Sequence, residues 1–165
     1  MKPADVAYPV PPKKDAQPFR DVFAYWQGKF HGDRLPGRAD IDPLDLRPFL
    51  GRIVLIDVIR EEGALRFRYR LMGVRIVALF GRDFTGNFIE DALPPDRFDL
   101  VNAAFTAVAK TGQLHFWEIP VPAPDRNFRS LRRLLLPLAS DGVTIDMLFG
   151  FALEVHREEG DDQSI

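Results

Sequence analysis

The sequence predicts an α+β domain: five strands in a mostly antiparallel sheet, helices on one face, and an amphipathic helix at the N-terminus. Three observations carry this. Apolar residues recur at intervals of three and four near residues 19–30 and again between 74 and 112, the helical period. They alternate strictly over 65–71 and 145–153, the strand period. Turn residues separate these segments, so that one helix and two strands precede a helical block of about forty residues and three strands follow it.

In chain order, Phe19, Val22, Phe23, Trp26 and Phe30 share one face of a helix that starts after Pro18 and stops near Gly28 or Gly32. That stripe either lies on the sheet's outer face or packs against a second copy, and a homodimer through Phe19, Val22, Phe23 and Trp26 is the expectation. Asp42 suits the cap of a short helix opened by Pro43 and ended by Pro48. Ile53 to Ile59 is a β-branched strand, Glu61-Glu62-Gly63 a turn, and Leu65 to Leu71 its hairpin partner. In the partner, Leu65, Phe67, Tyr69 and Leu71 face the core, while Arg66, Arg68 and Arg70 face water or an acidic neighbour. Val74 to Phe80 is helical and ends at Gly81, a left-handed cap. Pro94 and Pro95 open the longest helix, with Phe98, Val101, Phe105 and Val108 on one face and Gly112 as its stop. Strands follow at Leu114 to Val121 and Arg126 to Leu138, then a hairpin turn at Ser140-Asp141-Gly142. The last strand alternates through Ile145, Met147, Phe149, Phe151 and Leu153.

With 165 residues and 18.8 kDa, the chain has room for one domain. Five prolines make residues 1–18 an extended arm, residues 19–157 form the domain, and residues 158–165 are an acidic, polar, disordered tail. No apolar run reaches the length of a secretory signal or a membrane span, which places the chain in the cytoplasm. A net charge of −2 supplies no field that would draw nucleic acid or anionic lipid. The absence of cysteine excludes disulfides, thiolate metal sites and thiol nucleophiles. Fourteen Phe against three Tyr and two Trp means rings chosen without a polar handle, suited to a core or an apolar pocket.

Four strings carry a family resemblance: Leu35-Pro-Gly-Arg-Ala-Asp-Ile-Asp-Pro-Leu-Asp-Leu-Arg-Pro-Phe-Leu-Gly-Arg-Ile, Phe67-Arg-Tyr-Arg-Leu-Met-Gly, Leu79-Phe-Gly-Arg-Asp-Phe-Thr-Gly and Leu135-Leu-Pro-Leu-Ala-Ser-Asp-Gly. With the element order, they make residues 19–153 resemble the bacterial stand-alone PAS-domain proteins, in which one sensory domain stands without an attached output domain. The resemblance implies a five-stranded sheet cupping short helices around a small cavity. It also implies a sensor or adaptor module in signal transduction that binds a small, mostly apolar ligand, a partner signalling protein, or both. With no output domain, the signal would leave through contact with another protein. The cavity would draw on Tyr69, Leu71, Ile76, Phe80, Phe105, Phe116, Leu136, Met147 and Phe149, each of which would serve equally well in an ordinary core. No cofactor is named by the sequence. A covalent flavin adduct needs a cysteine the chain lacks, and residues 96–111 of the long helix hold no axial histidine for haem.

Elsewhere the chemistry is sparse. Asp40, Asp42 and Asp45 offer oxygens to a hard cation, but the same residues serve as a cap and a solvated turn, and no metal site is expected. Arg126, Arg129, Arg132 and Arg133 are dense enough to grip an anion; alternation puts Arg129 and Arg133 on one face with Leu131 and Leu135, where pairing to acidic neighbours is the simpler use. His31, His115 and His156 are scattered, His115 and Glu118 fall on opposite strand faces, and Ser130 and Ser140 have no nucleophile motif, so no catalytic set is expected. The rival readings are a small isomerase-like enzyme using a buried carboxylate, Asp57 or Asp146, and an interaction module with a filled core.

Overall fold

Pro18 does not delay the first helix. In the computed structural model, which describes residues 2, 16–121 and 129–156, helix α1 runs over Ala16–Gln27 and takes Pro18 into its first turn. A missing amide donor loses no intrahelical partner there. Ala16 to Pro18 therefore belong to the domain rather than to the arm. Apart from Lys2, the rest of the expected arm lies outside the described residues, as do Arg126 and the tail beyond His156.

The strands β1 (Ile53–Glu61), β2 (Ala64–Met72), β3 (His115–Val121), β4 (Arg129–Leu138) and β5 (Met147–His156) form one sheet in the order β2-β1-β5-β4-β3. Every neighbouring pair is antiparallel. Helices α2 (Val74–Phe80), α3 (Ile89–Ala92) and α4 (Pro95–Thr111) fill the chain between β2 and β3. The one-turn α3 has no counterpart in the sequence reading. Gly81 and Gly112 cap α2 and α4 in the left-handed conformation at φ 73° and 70°, the backbone state glycine adopts without a steric cost. Between β1 and β2 both central turn residues, Glu62 and Gly63, have positive φ, which matches the twist of a two-residue hairpin.

Strand pairing sorts the side chains onto two faces. Tyr69 opposes Ile56, and Phe67 opposes Val58; Phe67 stacks edge-on against Phe105 of α4, so this is the helix-covered face. Trp117, Arg133, Leu131 and Leu135 join it by register. The opposite face carries Ile53, Leu134, Phe116 and Phe151, and α1 lies on it. Phe19 packs edge-on against Phe116 and Phe151 at 5.3 and 5.1 Å, and the Trp26 indole N–H donates to the Pro137 carbonyl at 2.9 Å. Phe19, Val22, Phe23 and Trp26 are all buried, each contributing about 1.5–3 kcal/mol of apolar transfer. The stripe thus covers its own sheet, one of the two fates open to it, and is not free to meet a second copy.

Two other expectations change. No helix forms after Asp42; residues 43–49 are a run of turns, with Asp42 Oδ1 accepting from the Leu44 amide at 2.8 Å. The β4–β5 connection is not a tight hairpin but spans residues 139–146. Asp141 Oδ1 holds it by accepting from the Val143 and Thr144 amides at 2.8 and 2.6 Å, which gives the backbone local partners where a ladder ends.

Candidate functional site

A cavity of about 260 Å³ lies between the helix-covered face of the sheet and helices α2 and α4. The sheet supplies Tyr69, Trp117, Leu131 and Arg133; Phe80 comes from α2; Leu93, Arg97, Leu100 and Val101 come from the start of α4 and the residues before it. Phe80 and Leu100, 39% and 52% exposed, form its rim. The wall is apolar and aromatic apart from two guanidinium groups, and no carboxylate lies among its residues.

Tyr69 and Phe80 are the two sequence-nominated pocket residues that reach this cavity. Phe105 stands behind it, 2% exposed, its ring against Phe67 and 5.1 Å from Arg133 Cζ. Leu71 is turned away by a β-bulge: Leu55 opposes Leu71 while Ile56 opposes Tyr69, so Arg70 is an extra residue on β2 and side-chain parity flips after it. Met72 takes the inward place, its sulfur accepting from the Phe84 amide. Ile76 lines a separate, more open cleft with Arg52, Arg75 and Glu154, where charges of both signs face water. Phe116 lies against Phe19 under α1, and Leu136, Met147 and Phe149 share that face by register. These four are core of the opposite layer.

Arg133 is the feature the sequence did not single out from its neighbours. Its Nε and Nη2 atoms are buried with no hydrogen-bond partner. The rings of Phe105 and Trp117 each lie 5.1 Å from Cζ and hold the cation through their π faces. Burial pulls the guanidinium down to about 10, against the opposing influence of Tyr69, so it remains a cation at neutral pH. Burial pushes the Tyr69 phenol up to about 12, with Arg133 acting the other way, so the phenol keeps its proton. Next along β3, His115 is drawn below its ordinary value by burial and then by Arg133, and its Nδ1 is buried without a partner. Arg132, one position from Arg133, faces the other way and donates to Glu118 at 2.8 Å, the paired use that alternation anticipates.

The remaining candidates have structural work. Asp40 is held below the usual carboxylate range by His31, whose Nε2 lies 2.8 Å away, and by the Gly37 amide. Asp45 pairs with Lys29 at 3.2 Å. Among the described residues no three His, Cys, Asp or Glu gather as a metal site. Asp57 accepts both Nε and Nη2 of Arg68, at 3.1 and 2.8 Å, on the face away from the cavity. Asp146 sits in the β4–β5 connection and accepts from the Ser140 amide. Neither carboxylate lines the cavity.

The architecture is an α+β fold in which a five-stranded antiparallel sheet cups short helices over a small side-chain-lined cavity. A family model described as the PAS domain matches residues 14–153, and the chain belongs to that family. Among solved structures, the PAS domain of BvgS from Bordetella pertussis is similar at 18% identity and a TM-score of 0.54, over 70% of this chain and 84% of that one. The PAS domain of a protein from Colwellia psychrerythraea (15%, TM-score 0.46, 71% and 100%) and the LOV protein of Rhodobacter sphaeroides (15%, 0.47, 70% and 68%) are also similar. At 18% identity what the BvgS domain shares with this chain is the fold. No curated protein matches the sequence. Among the described residues no helix is long and apolar enough to cross a membrane. The cavity volume, about 260 Å³, lies just below the range of roughly 300–1,000 Å³ typical of drug-sized ligands.

Proposed function

We propose that this PAS domain works as a sensor that takes a small, apolar-bodied molecule between Tyr69, Phe80, Val101 and Trp117, and that occupancy changes how it meets a partner protein. The observation that carries this is the aromatic-walled cavity itself, edged by Phe80 at the end of the seven-residue helix α2. Roughly 150 Å³ of apolar space holds a benzene ring, so this volume suits a ligand of about ten non-hydrogen atoms. The exposed Phe80 and Leu100 lie on both the ligand's wall and the outer surface, so a partner seated there would feel occupancy directly. A second copy of the chain is one candidate partner, and it would use this rim rather than the covered stripe of α1.

Thermal shift and native mass spectrometry against a panel of metabolites of that size test the reading. Binding members should raise the melting temperature of the full chain, and Val101→Phe, which fills the cavity, should abolish the shift. A panel with no binder, or binding indifferent to Val101→Phe, removes the proposal.

A further inference from the structure

The two unpartnered nitrogens of Arg133, Nε and Nη2, lie on the same edge of the guanidinium plane. That edge is the fork that receives both oxygens of a carboxylate through parallel hydrogen bonds. A buried cation with its donors unmade is costly, and native proteins keep such a group only where something completes it. Nothing among the described residues does so, and the cavity wall holds Arg97 as a second cation and no acid. The contrast with Arg68 and Arg132 is direct, since each meets a carboxylate of its own chain.

From this geometry we infer that the cavity takes a monocarboxylic acid, its carboxylate on the Nε/Nη2 edge of Arg133 and its apolar or aromatic body against Tyr69, Phe80 and Trp117. The inference rests on the cavity reading above and deepens it. A carboxylate is favoured over a phosphate because, apart from Arg97 and the Tyr69 hydroxyl, the wall is apolar, and a second negative charge with a third oxygen is the costlier group to desolvate there. Tyr69, which keeps its proton, supplies one more O–H on the same face. The rings of Phe105 and Trp117 hold the guanidinium in place before the ligand arrives, so little is spent on ordering it.

The test compares phenylacetate, 2-phenylacetamide and phenyl phosphate by calorimetry on the full chain at neutral pH. Phenylacetate should bind at least about tenfold tighter than the neutral amide, the scale of one charge-assisted hydrogen bond. Arg133→Met should erase that preference, so that the ratio of acid to amide affinity falls to about one; Arg133→Lys should keep part of it. The Met variant should also melt higher by several degrees, since an unpaired buried charge is gone. Should it fail to fold, the wild type alone decides: the Arg133 Nε–H resonance should shift with phenylacetate and stay in place with the amide. Equal binding of acid and amide, a preference surviving in Arg133→Met, or phenyl phosphate binding tenfold tighter than phenylacetate would each overturn the carboxylate assignment. Amide binding without acid preference leaves the cavity reading standing and removes only this one. If neither compound binds and the metabolite panel is also silent, both fall.

Discussion

His115 and Arg133 sit on one face of the sheet, and burial works against the protonated form of each. For His115 the consequence lies in an accessible pH range. The unfolded chain takes up a proton near the ordinary imidazole value of about 6.5, whereas the folded imidazole resists until the pH is lower. Between those values the unfolded state binds more protons, so stability rises with pH there. The contribution is complete above the unfolded value and is lost as pH falls through the folded one. The His115 ring should therefore titrate below 6.5 by NMR and move upward in Arg133→Met. Urea stability should also decline less between pH 7 and 5 in His115→Gln than in the parent. A titration at or above 6.5 contradicts the account. At this scale the sequence is legible in part: alternation with Leu131 and Leu135 puts Arg133 on the inner face. What stands opposite it depends on the β3–β4 register, which sets Trp117 rather than Glu118 across from Arg133. A shift of one residue would have made Arg133 an ordinary paired arginine and left no site.

At the scale of elements, helix α2 is placed by close contact. Gly73 has an ordinary φ of −64°, so its requirement is one of space: a Cβ there would fall 2.5 Å from the Gly51 carbonyl and from Leu50 O. Gly73 also donates to Ile53 O at 2.8 Å, tying the start of α2 to the start of β1. Gly73→Ala should cost about 1–3 kcal/mol, the usual penalty for overpacking, read as a lower urea midpoint at unchanged m-value. Because the displaced helix carries Phe80, ligand affinity should fall with it. A midpoint equal to that of the parent would show that the backbone there has slack. The ends of α2 and α4 and the β1–β2 turn are readable because glycine caps and turn residues act locally. The bulge at Arg70 is not, since Arg70 looks like Arg66 and Arg68 in the alternation and only the pairing of Leu55 with Leu71 exposes it. Leu71 is lost from the pocket for that reason.

For the whole molecule, the sheet is covered on both sides, by α1 on one and by α2 and α4 on the other. Removing residues 1–27 would uncover Phe151 and Leu134, now 1% and 0% exposed. The truncated chain should lose its cooperative melting transition by circular dichroism and scatter light at micromolar concentration; a folded, monomeric product with an unchanged melting temperature would show that α1 is dispensable. The spacing of α1 announces a buried stripe, but sheet and second copy would bury the same four side chains, so its destination is a tertiary fact. The same limit explains the misplaced half of the pocket. Alternation sorts Leu136, Met147 and Phe149 onto one face without saying which face the helices occupy.

The indole of Trp26 is sealed under α1 with its N–H on the Pro137 carbonyl, and the chain's other indole, Trp117, borders the cavity beside Arg133. The protein thus carries its two indole fluorophores on opposite sides of one sheet, the first in a dry, fixed setting and the second next to a cation whose field bears on its excited state. Excited where indole alone absorbs, a Trp26→Phe chain would emit from the cavity alone and serve as its own optical titration cell without a dye or a label.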